Sequence, residues 1–185
     1  YLNRDTVVDG CGQLSLPSAS KLWFTPDGHW KEPGGYHNYP VSKLIEAALM
    51  LENNGYQIFN QYPILLNASY VMLKYSFPDL TASAFGDTGR PRQSMECLES
   101  AILMADKYQL LILPDLLNAA MILEQAGQYD RSKSGLTGLL CYLPELPKAK
   151  SGDNHLWNRS EQLDFASCYL QRNGIDPQNG LMCVV

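Results

Sequence analysis

Between Pro26 and Pro40 the chain places two of its three histidines, His29 and His37, eight residues apart among aromatic, amide and carboxylate side chains. Trp30, Glu32, Tyr36, His37 and Asn38 fall within nine positions. That mixture suits a sugar. Indole and phenol rings stack on the C–H face of a pyranose, while Glu, His and Asn bond its hydroxyls. Gly34-Gly35 lets backbone approach a ligand closely. The same residues also read as packing, with Pro26-Asp27-Gly28 a β-turn and Trp23, Trp30, Tyr36 and Tyr39 anchoring the loop on the helices that follow. Tyr39 is the second candidate phenol; its plain role is a place in the first helical turn, facing the core. Glu32 and Asp87 raise a further chemistry. Two carboxylates about 6.5–9.5 Å apart would serve an inverting glycoside hydrolase as acid and base. Their plain roles are a turn cap beside Gly86 for Asp87 and an ion pair with Lys31 or Arg4 for Glu32.

The elements that must hold these residues are mostly helical. Residues 1–38 are rich in breakers and read as loop with one short helical turn. From Tyr39, the residues Val41, Leu44, Ile45, Ala48 and Leu51 recur at helical spacing, and Asn53-Asn54-Gly55 supplies a left-handed cap. A second helix is expected from Ile58 to Tyr75, with Pro63 near its first turn or breaking it, and Phe77-Pro78-Asp79 stopping it. After a Gly/Pro loop over 82–92, a third runs from about Gln93 to Tyr108, entered by Ser94 with Glu96 in its first turn. A fourth follows Leu113-Pro114-Asp115 and closes at Gly127. A fifth spans Tyr129 to Tyr142, weakened by Gly135 and Gly138 at about 1 kcal/mol each. Residues 144–158 are loop. Leu163–Leu170 reads as a strand, Asn173-Gly174 as a turn, and the end of the chain as a second strand with nothing after it to pair with. Helices over 1–160 and strands over 161–185 make two successive architectures. No short repeat is visible, yet the helices pair through short turns on one side and long Gly/Pro loops on the other. A ring of helical hairpins with its long loops at one mouth would give that alternation.

Composition narrows the function classes. With 185 residues, 45% apolar and 18% charged, the chain suffices for one well-buried core. A net charge of −5 argues against a nucleic-acid partner. Five cysteines, odd in number and without a Cys-x-x-Cys pair, indicate neither a zinc ribbon nor a redox motif. No apolar run approaches the ~18 residues of a membrane helix. The chain opens on Tyr1 rather than Met and reads as an internal piece of a larger protein, whose missing N- and C-terminal parts would be its partners.

The block from Pro26 to Tyr39, opening a long helix, resembles the Pro-Asp-Gly, aromatic, Glu and Tyr-His segment of the heparinase II/III-like polysaccharide lyases, a group that includes alginate lyases. Phe85-Gly86-Asp87 looks like that family's Phe-Gly-Asp loop, and Leu163 to Val185 like the strands that open its β-sandwich. The resemblance implies a mainly α fold, an incomplete α/α-toroid followed by the start of an antiparallel β-sandwich. It further implies β-elimination on an acidic, uronate-containing polysaccharide, and export to the periplasm or beyond the cell. Tyr36 occupies the place of the family's catalytic tyrosine. Trp30, Glu32, His37, Asn38 and Tyr39 would line the sugar cleft. A phenol of ordinary pKa near ~10 needs a positive neighbour to gain phenolate character, and Arg90, Arg92 and His37 are the candidates. The family's other catalytic histidine and its Asn-His or His-x-x-Glu segment have no counterpart here. His155 matches neither and reads as a solvated loop residue. The metal of some members belongs to the sandwich, so no metal or cofactor is expected in this segment. A carbohydrate-binding helical domain without catalysis is the remaining alternative.

Overall fold

A computed structural model of the chain describes residues 6–8, 11–13, 15–32, 34–82, 89, 95–130, 132, 135–147, 156, 158, 160–163, 168–174 and 182–184. It is mainly helical with two small antiparallel sheets. A hairpin of β1 (Thr6–Val8) and β2 (Cys11–Gln13) pairs Val8 with Cys11. The helices are α1 (Leu16–Leu22), α2 (Asn38–Asn53), α3 (Ile58–Gln61), α4 (Pro63–Lys74), α5 (Met95–Lys107), α6 (Leu113–Gln125) and α7 (Gly135–Leu140). A 3-10 turn over Gly34–His37 runs directly into α2. The second sheet joins β3 (Glu161–Leu163), β4 (Cys168–Arg172) and β5 (Met182–Val184) in that order.

Several of these elements differ from the sequence reading, each for a local reason. The expected N-terminal loop with one short helical turn is instead the β1–β2 hairpin and the seven-residue α1. Ser15 caps α1, its Oγ accepting from the Ser18 N–H at 3.4 Å, and Pro17 occupies the first turn, where its missing N–H costs nothing. Pro63 does break the second helix, and opens α4 after the single turn of α3. The expected strand over Leu163–Leu170 is two strands, β3 and β4, paired Leu163 to Cys168. β5 finds its partner behind it, pairing Leu170 with Val184 and Arg172 with Met182. The fifth helix is only the short α7.

α5 is the hub. α2, α4, α6 and α7 all pack on it. Its two sides feed two cores, Cys97 and Met104 toward Ile45, Leu49 and Phe59, and Leu98, Ala101, Ile102 and Ala105 toward Leu73, Leu116 and Ala119. At one end of the bundle the buried Glu52 accepts from the Ile58 N–H at 2.9 Å, from the Tyr108 hydroxyl at 2.6 Å and from Lys107. Burial pushes this carboxyl up, but the bonds from Lys107 and Tyr108 outweigh it and hold the group below its ordinary value. Arg172 ties the second sheet to the helices. Its guanidinium donates to the Leu156 carbonyl at 3.0 Å and to the Lys74 carbonyl at the end of α4, whose last carbonyls have no helical partner.

One loop geometry occurs twice, 52 residues apart (Phe24 to Ser76). In the first copy Phe24 bridges Trp30, Thr25 N–H bonds the His29 carbonyl at 2.8 Å, and Gly28 N–H bonds the Thr25 carbonyl at 2.9 Å. In the second, Ser76 bridges Ala82, Phe77 N–H bonds the Thr81 carbonyl at 2.6 Å, and Leu80 N–H bonds the Phe77 carbonyl at 2.8 Å. Both turn on Pro-Asp followed by a left-handed residue, Gly28 at φ +96° and Leu80 at φ 64°. Leu80 bears a strain of about 1–2 kcal/mol for a side chain there, offset by burying that side chain completely in the second core. Each copy follows a helix, α1 or α4.

Gly28 has no such freedom, because a Cβ there would lie 2.7 Å from the Ala68 nitrogen and the Asn67 Cβ of α4. Gly55, at φ +86°, has nothing within 4 Å of the corresponding position. In chemical denaturation Gly55→Ala should therefore cost only the left-handed penalty of about 1 kcal/mol. Gly28→Ala should cost clearly more, about 3 kcal/mol or above, because backbone must move as well. Equal costs would mean that the first turn does not rest on α4.

Candidate functional site

The first Pro-Asp turn builds the site. Thr25 Oγ1 donates to Asp27 Oδ1 and receives the His29 N–H at 3.0 Å, while the Tyr75 hydroxyl donates to Asp27 Oδ2 at 3.3 Å. Lys31 N–H bonds the Trp23 carbonyl at 3.0 Å, which closes the turn beyond the Phe24–Trp30 bridge. The Trp30 ring is packed 5.5 Å from Trp23 and edge-on to Phe24 at 5.6 Å. Its Nε1–H donates to Glu32 Oε2 at 3.1 Å.

His37, the last residue of the 3-10 turn, lies beneath this surface with 0% of its area exposed. The Trp30 N–H donates to its Nδ1 at 2.9 Å, so Nδ1 carries a lone pair. Nε2 therefore carries the proton and donates to the Ala68 carbonyl of α4, also at 2.9 Å. Burial, with the neighbouring His29 adding to it, drives the His37 pKa down to about 3, against the opposing pull of the Ala68 carbonyl and Asp27. His29 is lowered as well, again chiefly by burial. Its Nδ1–H donates to the Trp30 carbonyl, and its ring sits 4.9 Å from His37 and 4.8 Å from Tyr75. Both imidazoles are neutral at neutral pH.

This corrects two expectations. His37 lends no positive charge to Tyr36, because it is uncharged. Nor does it line a cleft, because the ring is sealed from solvent and both nitrogens serve backbone. It is a positioning residue.

Tyr36, one position earlier in the same turn, points the other way and is 50% exposed. Tyr39 lies in the first turn of α2 as expected, but 76% of it is exposed, so it does not face the core. Asn38 is half-buried and Glu32 exposed, the latter bonded to Trp30 and not to Lys31. Two phenols, Tyr36 and Tyr39, and the Glu32 carboxylate are thus exposed around the turn, with Trp30 half-buried. Arg90, Arg92, Asp87, Phe85, Gly86 and His155 lie outside the described residues, so the cationic and hydrolytic expectations built on them rest on sequence. Neither Tyr36 nor Tyr39 lines the groove of about 650 Å³ that lies between α1, the first turn and the α3–α4 corner. The phenols stand on open surface, whereas Lys31, five positions before Tyr36, lines that groove.

Among the described residues no group of three or more His, Cys, Asp or Glu side chains is arranged to hold a metal ion. Cys97 and Cys141, both buried, and the exposed Cys183 carry free thiols. Burial, aided by Glu99 and Cys97, pushes the Cys141 thiol up to about 12, which makes it inert. No described helix is long and apolar enough to cross a membrane. Comparison with protein-family models, with curated proteins and with solved structures finds no match. The recurrence of the turn at residues 76–82 escaped the sequence reading. The signal was Pro78-Asp79, which echoes Pro26-Asp27.

The depressed His37 pKa gives a pH test. Above pH 6.5 the ring is neutral in both folded and unfolded chains, so its contribution to stability is complete. Below that value only the unfolded chain takes the proton until the pH nears 3, and stability falls by up to about 1.4 kcal/mol per pH unit. Denaturation between pH 6.5 and 4.5 should show a shallower slope in His37→Gln than in the unaltered protein. Equal slopes would mean that His37 titrates normally in the fold.

Proposed function

We propose that this chain is part of a polysaccharide lyase that cleaves a uronate-containing polymer by β-elimination, with Tyr36 as the catalytic residue. The observation that carries the reading is the contrast within one turn, a buried neutral His37 holding the backbone and an exposed Tyr36 phenol beside it. Elimination removes the weakly acidic C5 proton of the uronate and protonates the departing glycosidic oxygen. A phenol on a rigid backbone suits the second task, and in its ionised form the first. Trp30, Glu32, Asn38 and Tyr39 would then bind the sugar rings next to the scissile bond. The carboxylate of the uronate must be neutralised for the C5 proton to leave. His37 being neutral, that charge falls to Arg90 or Arg92.

In this reading the helices form part of an α/α-toroid, and β3–β4–β5 begin a sandwich. The resemblance in Pro26–Tyr39, Phe85–Asp87 and Leu163–Val185 supports that architecture, as does the recurrence of the Pro-Asp turn after α1 and α4. A periplasmic or extracellular location, and catalysis without a cofactor held by this segment, follow from the same resemblance.

The test is product chemistry with the uninterrupted parent protein on polyuronates. An unsaturated uronate absorbing in the ultraviolet should form, and Tyr36→Phe should lower its rate by about 10²–10⁴-fold with unchanged thermal stability. Release of reducing ends without that chromophore, lost in Glu32→Gln or Asp87→Asn, would replace elimination by hydrolysis. Retention of polyuronate with neither product would leave a binding domain.

A further inference from the structure

The described cations divide into two sets. Lys43 pairs with Glu46 at 3.1 Å, Lys74 with Glu161 at 3.3 Å, Arg172 with Glu161 at 3.7 Å, and Lys107 with Glu52. Lys21 and Lys31 have no carboxylate partner among the described residues, and both are exposed. Both line the same groove of about 650 Å³. In a chain of net charge −5, a groove lined by two cations that have no carboxylate partner among the described residues is a local reversal of sign.

The walls are fixed by the fold. Phe24 is buried and held by its bridge to Trp30, Pro63 opens α4, and the Trp23 carbonyl fixes the backbone at Lys31. Pro26, Tyr62 and Pro63 give the groove flat apolar surface, and the Gln61 amide adds a hydrogen-bonding group. Its volume falls in the ~300–1,000 Å³ range of small-molecule sites. Flat rings flanked by ammonium groups and an amide match a pyranose that bears a carboxylate, since its C–H face stacks, its carboxylate meets a lysine and its hydroxyls meet the amide. An acidic peptide would share the charge but not the need for flat apolar rings.

We propose that this groove is a binding subsite for a uronate unit of the polymer, separate from the Tyr36 surface. The substrate class rests on the lyase reading, whereas the site itself rests on the two cations without a carboxylate partner among the described residues. Lys31 lies five positions before Tyr36 in the sequence.

The test is calorimetric titration of the full 185-residue chain with an oligogalacturonate, its neutral methyl ester and poly-glutamate. The unaltered protein should bind the oligogalacturonate, and the Lys21→Gln/Lys31→Gln double variant should bind it roughly tenfold more weakly, two solvent-exposed ion pairs having been lost. The ester should bind weakly to both. Absence of oligogalacturonate binding, equal affinity in the lysine variant, or equal affinity for poly-glutamate would overturn the subsite. The two proposals fail separately. Binding that needs the lysines, without any unsaturated product from the parent protein, sinks elimination and keeps the groove. Unsaturated product with unchanged KM in the lysine variant sinks the groove and keeps elimination.

Discussion

A single uncharged imidazole joins three stretches of this chain, one of them 31 residues away. His37 accepts from the Trp30 backbone on one side and donates to the Ala68 carbonyl on the other, at 2.9 Å each. It thereby fastens the first Pro-Asp turn, the entry to α2 and the middle of α4 to one another. An imidazole does this with one acceptor and one donor at opposite ends of a rigid ring, and only while it is neutral. A protonated ring would be a donor at both ends and would face the Trp30 N–H with another N–H. Sealing the ring from water keeps it neutral. The exposure of Tyr36 follows from this clamp, because the residue next to a ring fixed inward within a 3-10 turn is directed outward.

The contacts around the clamp are mutually consistent. Gly28 lets the turn lie against Asn67 and Ala68, which brings the Ala68 carbonyl within reach of His37. Tyr75, at the end of α4, touches His29 and donates to Asp27. The second turn begins at the next residue, Ser76. Tyr75 therefore links the first turn to the start of the second. The lysine-lined groove uses the outer wall of the first turn, so one short segment supports both proposed sugar contacts.

Much of the scaffold was legible from residue order. The spacing of Val41, Ile45 and Ala48 marks the buried face of α2, and Pro63 marks the start of α4, because these signals are local. Leu44 and Leu51, read with them, are only half-buried, and the buried Leu49 falls outside that reading. α1 was hidden by its brevity, seven residues among breakers, and declared itself only through Ser15 and Pro17. The partner of β5 was not legible, since strand pairing is set by tertiary contact and β5 pairs backward with β4. The candidate site was legible as a cluster of residue types but not as a division of labour. Tyr36, His37 and Tyr39 look alike in composition. Which of them faces water is decided by hydrogen bonds to Trp30 and Ala68 that local spacing does not encode. His37 as a charge donor was wrong for that reason, as was Tyr39 in the core.

The state of the His37 ring is the most direct measure of this account. Nitrogen-15 NMR of the imidazoles at pH 5 should show His37 unprotonated, with its proton on Nε2 and slow exchange with solvent. A His37 ring that is protonated at that pH, titrates near 6.5, or carries its proton on Nδ1 would contradict the clamp and the placement of Tyr36 derived from it.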